Sequence, residues 1–182
     1  MNDLTEKKAS STEVFSGKLL KVFKDDIILP NGKEAIREYI KHPGASCVVP
    51  VTDNNEVLMV RQFRYPFDRV LLEIPAGKLD FAGEDPKSAA IRELKEETGA
   101  ETKDLIFMGE YYPTCAYSTE IIYMYLARDL SFGETDFDDD EFIEPERISL
   151  KALFDMVMNG EIRDGKTQTA ILKAYNIVYG NK

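Results

Sequence analysis

The chain has 182 residues, 43% of them hydrophobic, a net charge of −10 and one histidine. That length suits one domain with a small appended element, and that composition can bury a core. The acidic balance argues against nucleic-acid binding by phosphate neutralisation, and a lone His42 excludes multi-histidine metal sites.

No run is long and apolar enough for a membrane span. The opening "MNDLTEKKASSTE" lacks the apolar core of a secretion signal. Cys47 and Cys115 lie far apart and in no paired-ligand spacing. A cytoplasmic protein without a membrane partner is the expectation.

Residues 1–10 are polar and predicted to be disordered. From 13 to 41 the pattern is that of β-strands, with a turn at Pro30, Asn31 and Gly32. "ASCVVPVT" reads as a short buried strand, from its β-branched content. "NNEVLMVRQFR" and "RVLLEIP" are two more, the second ended by Pro75. A helix is predicted over residues 86–98, with Asp85 as N-cap, Pro86 at the first helical position and Gly99 as the stop. "EIIYMYLARDL" reads as a strand, and "FGETDFDDDEFIEPE" as an acidic loop. "LKALFDMVMNG" and "KTQTAILKAYNIVYG" are the last two helices. Strands interspersed with a few helices predict a mixed α/β layered fold.

"GEIRDGKT", residues 160–167, has the spacing of a phosphate-binding loop. Such a loop follows a strand, whereas this one follows a predicted helix. Glu161 and Asp164 would repel phosphates. Gly160 as a helix cap and Gly165 in a helix-to-helix turn explain the pattern better, so Lys166 is expected to be dispensable for turnover.

"RELKEETG", residues 92–99, is the informative stretch. Glu93 and Glu97 share one helix face, with Glu96 beside them. Like charges at this spacing destabilise a helix by roughly 0.2–0.5 kcal/mol per pair. Ala90, Ile91, Leu94 and Thr98 fill the neighbouring core-facing arc, so the acidic strip borders the interior. Hard divalent cations want such oxygens and bind through a few carboxylates plus substrate phosphates. Gly77 would let a loop backbone approach the helix, bringing the Ala76 carbonyl as another hard ligand. An ion pair between Glu84 and Arg92 would pin that loop.

The segment from Gly77 to Ala100 resembles the signature of the Nudix hydrolases, G-x5-E-x7-R-E-U-x-E-E-x-G-U. Gly77, Glu84, Arg92, Glu93, Leu94, Glu96, Glu97, Gly99 and Ala100 occupy its fixed positions. One extra residue separates Gly77 from Glu84, in the loop 80–83. "VPVTDNNEVLMVRQFRYPFDRVLLEIPAGKLD", "DDDEFIEPERIS" and "GKTQTAI" are similar to the ADP-ribose pyrophosphatase branch.

The resemblance implies an α/β/α sandwich with a mixed sheet over residues 45–182. It also implies a small antiparallel β element within 1–44 that supports a homodimer. The implied reaction is metal-dependent hydrolysis of the pyrophosphate bond of ADP-ribose or a similar nucleoside diphosphate sugar, with Mg²⁺ or Mn²⁺. Glu93, Glu96, Glu97 and the Ala76 carbonyl would hold the metal, and Arg92 would orient the carboxylates. Glu141 would be the general base, with Asp139 second. Arg64, Glu73, Arg37 and Glu38 would bind substrate. This branch usually carries Pro-Gly where the chain has Cys115 and Ala116. Another nucleotide sugar or dinucleotide therefore stays open, as does a non-catalytic nucleotide sensor. Cys115 is expected to be a packed small residue.

Overall fold

The computed structural model describes residues 3–81, 83–133 and 143–180. It divides into two compact units, Met1–Gly44 with Tyr112–Glu120, and Ala45–Tyr111 with Ile121–Lys182.

In the first unit, β1 (Lys7–Ser16), β2 (Lys21–Ile28) and β3 (Glu34–Ile40) form an antiparallel sheet in that order. The turn between β2 and β3 closes through Gly32, whose N–H donates to the Leu29 carbonyl at 2.9 Å and whose φ is 82°. Of residues 1–10, predicted to be disordered, the last four lie in β1. Every side chain of β1 is exposed, but its backbone pairs with β2 from Lys7 to Ser16. Ladder hydrogen bonds need no apolar side chains, which is why a polar segment can be a strand. Residues 117–119 add to the end of β3, with the Ile40 N–H donating to the Tyr117 carbonyl at 2.8 Å. His42 is used locally, its Nδ1 accepting the Gly44 N–H at 3.1 Å.

The second unit runs β4 (Ala45–Pro50), β5 (Glu56–Arg64), β6 (Arg69–Glu73), β7 (Ala76–Lys78), α1 (Pro86–Thr98), β8 (Ala100–Glu101) and β9 (Asp104–Tyr111). It continues with β10 (Ile122–Arg128), β11 (Ser131–Phe132), β12 (Ile143–Ser149), α2 (Leu150–Met158) and α3 (Gly165–Tyr179). A mixed sheet has the order β7-β4-β10-β9, with β4 and β10 parallel and the other pairs antiparallel. A second sheet, β12-β5-β6, is antiparallel. Pro145 sits in β12, an edge strand, where a missing N–H is tolerated.

Strand alternation sorts the core into two layers. Cys47 and Val49 of β4, Met59 of β5, and Met124 and Leu126 of β10 point one way. They meet Leu150, Leu153, Ala170 and Ile171 of α2 and α3. Val48, Leu58, Tyr125 and Ala127, the intervening residues, meet Ala90 and Leu94 of α1. The unit is therefore the α/β/α sandwich that the sequence implied. Among the described residues no helix is long and apolar enough to cross a membrane.

Candidate active site

α1 begins and ends where the sequence predicts. Asp85 accepts the Ser88 N–H at 3.0 Å and its hydroxyl at 2.8 Å, and Pro86 follows without an N–H to leave unpaired. Gly99 stops the helix in the left-handed region, at φ 67°. These ends set the rotation of α1, so that Glu93 and Glu97 lie one turn apart on the side facing β7.

Both carboxylate residues are buried, Glu93 at 9% and Glu97 at 3% exposure. The Ala76 N–H donates to Glu97 Oε2 at 3.2 Å. Glu93 lies over Gly77, where an added Cβ would stand 1.9 Å from its Oε1. Only glycine leaves that space. Glu96, half-buried, flanks them.

Arg92 ties the strip together. Its Nη1 donates to Glu93 at 2.7 Å and to Glu96 at 3.0 Å, and its Nη2 donates to the Lys78 carbonyl at 3.3 Å. Glu84 stands 3.7 Å from Nη2, and its Oε2 accepts the Asp80 N–H at 2.6 Å. The pinning pair between Glu84 and Arg92 is thus present.

Glu93, Glu96 and Glu97 present carboxylate oxygens on one side of α1, the donor type that hard divalent ions take. In this arrangement Arg92 is the cation between Glu93 and Glu96, and among the described residues no three acidic, histidine or cysteine side chains gather closely enough to hold a metal. Glu141 and Asp139 lie outside the described residues.

A second charged cluster stands at the end of β6. Arg64 grips Glu73 bidentately, Nε to Oε1 at 2.6 Å and Nη2 to Oε2 at 2.7 Å. Lys166 also donates to Glu73 Oε2, and to Asp164 at 3.0 Å. Asp164 caps α3 by accepting the Thr167 N–H at 2.9 Å. Glu73 is 2% exposed. Burial alone would raise its pKa, but the Arg64 hydrogen bonds and the Lys166 charge outweigh that and hold it at about 2.

Substrate contact by Glu73 was the expectation, yet both its oxygens are taken by cations. Arg64, with 38% of its side chain exposed, is the most exposed member of this cluster. Arg37 and Glu38 lie on β3 in the other unit, where Arg37 pairs with Glu6 and Glu38 stands opposite Lys24. Cys115 is exposed rather than packed. Buried Cys47 has its thiol pushed up to about 12, chiefly by burial, and is inert.

The sequence did not announce Lys166 as a partner of Glu73. Sequence reasoning set the residue aside with the phosphate-loop pattern, and α3 does begin at Gly165 rather than follow a strand. The available signal was spacing: Lys166, Ala170 and Ala174 lie on one buried stripe, and a lysine there requires an acidic partner.

Residues 41–168 match the NUDIX domain model, and residues 6–40 match the nucleoside diphosphate sugar hydrolase N-terminal domain. The chain is 42% identical over 173 residues to the ADP-ribose pyrophosphatase of Bacillus subtilis (strain 168), covering 94% of this chain and 93% of the relative. It is 39% identical over 174 residues to the methanol dehydrogenase activator of Bacillus methanolicus, covering 94% of each. A solved structure described as an ADP compounds hydrolase superposes with a TM-score of 0.86, at 22% identity, over 99% of this chain and 98% of the other.

Proposed function

This chain belongs to the NUDIX family and is a pyrophosphohydrolase of nucleoside diphosphate sugars, and we propose that its substrate is ADP-ribose, hydrolysed to AMP and ribose 5-phosphate with Mg²⁺. The observation that carries this reading is the Glu93 carboxylate lying over Gly77, one helical turn from Glu97. Family members generally use divalent metal ions.

Glu93, Glu96, Glu97 and the Ala76 carbonyl would hold the ion. When bound, it neutralises charge on the diphosphate and acidifies the attacking water. Arg92 keeps Glu93 and Glu96 in place through its Nη1. Arg64 meets a phosphate oxygen with the donors that Glu73 leaves open. Glu73 does not take the proton from water, since a carboxyl held at about 2 and doubly paired is a poor base. That role falls to Glu141, with Asp139 as the second choice.

The test is direct. ADP-ribose incubated with Mg²⁺ is expected to give AMP, followed by chromatography alongside a panel of nucleoside diphosphate sugars. Faster release from another sugar would move the assignment to that substrate, for which the Cys115-Ala116 departure leaves room. Binding without release from any of them would make the chain a sensor.

The same reading includes a homodimer formed through the first unit. Its support is a ten-residue strand with every side chain exposed, together with exposed Val14, Phe15, Leu19, Leu20 and Ile36. Light scattering behind size exclusion is expected to give twice the chain mass, and a monomer would remove this element.

A further inference from the structure

We propose that Lys166 is a positioning residue for substrate phosphate: it fixes the Glu73 carboxylate and, through it, the orientation of the Arg64 guanidinium. The inference rests on the reading of Arg64 as a phosphate contact.

Lys166 lies on the buried stripe of α3, 93 residues from Glu73 in sequence, and is 9% exposed. Two cations, Arg64 and Lys166, and two carboxylates, Glu73 and Asp164, make the cluster electrically neutral. Each charge has a geometric task. Asp164 accepts from Lys166 at 3.0 Å while capping α3. Lys166 donates to Glu73 Oε2, and Arg64 Nη2 donates to the same oxygen at 2.7 Å.

The neighbouring residue is held in parallel. The Ile74 N–H donates to Thr167 Oγ1 at 3.1 Å, and that hydroxyl donates to Asp164 at 2.6 Å. The first turn of α3 therefore grips two successive residues, Glu73 and Ile74, just before the strand that carries Ala76 and Gly77.

Stability alone is a weak reason for such a cluster. Buried ion pairs replaced by well-packed apolar groups often cost nothing. What the cluster supplies is a defined carboxylate plane. A glutamate's terminal torsion is broad, so a carboxylate held from one side can rotate. Lys166 and Arg64 both donate to Oε2, so the carboxylate is held from α3 as well as from β5. Without Lys166, Glu73 is freer to turn, and the guanidinium that it grips bidentately turns with it.

A double-mutant cycle separates positioning from structure. The variants are Lys166→Met, Arg64→Ala and the pair. The readouts are kcat/KM for ADP-ribose with Mg²⁺ and calorimetric Kd for ADP-ribose in EDTA. Lys166→Met is expected to weaken both by about tenfold or more, the scale on which outer partners of site residues act. In the Arg64→Ala background it is expected to cost nothing further.

Equal losses in both backgrounds would make Lys166 structural and overturn the inference, as would no loss in the wild-type background. Lys166→Gln, which keeps a donor for Glu73, is expected to lose less and to show the same non-additivity, and it serves if the methionine variant fails to fold. A wild-type chain that binds ADP-ribose without hydrolysing it would defeat the proposed reaction, but the calorimetric cycle would still decide the inference. Absence of ADP-ribose binding would overturn both.

Discussion

Glu97→Gln is expected to lower turnover by roughly 10²–10³-fold, equivalent to about 3–4 kcal/mol at 1.36 kcal/mol per tenfold. The substitution changes charge and almost nothing else. A glutamine oxygen can still accept the Ala76 N–H that Glu97 accepts at 3.2 Å. The side chain is nearly isosteric and stays in its buried slot. What disappears is one of the two negative charges one turn apart on α1. That charge is repelled by Glu93 and attracted by Arg64. The stabilisation gained on adding Mg²⁺, read as the difference in melting temperature from EDTA, is expected to shrink. Wild-type turnover by this variant would leave the acidic strip without a part in the reaction and remove the basis of the proposal.

The strip was legible in the sequence because every signal that builds it is local. Asp85, Pro86 and Gly99 set the ends of α1, and the spacing of Glu93 and Glu97 sets their common face. Gly77 was legible as a close approach for the same reason, being part of the same short segment. The cluster around Glu73 was not. Arg64, Glu73 and Lys166 come together from β5, β6 and α3. No period within one element announces that meeting, and the lysine belonged to a spacing that suggested a different chemistry. The part of β1 before residue 13 escaped for a third reason: its side chains are exposed, so only the partner strand reveals it. The layered core sat between these extremes. Alternation in β4 and β10 was visible as apolar content, but which residues meet α1 and which meet α2 and α3 depends on pairing register.

Gly77→Ala makes the sharpest distinction between holding the fold and holding the site. The new methyl would fall 1.9 Å from Glu93 Oε1 and 2.0 Å from its Cδ, far inside contact distance. Something must move, and the obstacle is the end of a flexible side chain rather than backbone. Glu93 can swing away from β7. It then leaves Gly77, and its bond to Arg92 Nη1 at 2.7 Å must break or follow. The stability loss is expected to be modest, about 1–2 kcal/mol, within the usual range for a substitution that overpacks one contact. Turnover is expected to fall by roughly 100-fold, because displacing a group by about 1 Å at a reacting centre costs that much. Adding Glu93→Gln to Gly77→Ala is expected to cost far less than the same change in the wild type, since the carboxylate is already displaced. Denaturation curves and kcat/KM for the four proteins check this. Full activity in Gly77→Ala would mean that Glu93 works from somewhere other than the face of β7. The geometry on which the metal assignment depends would then be wrong.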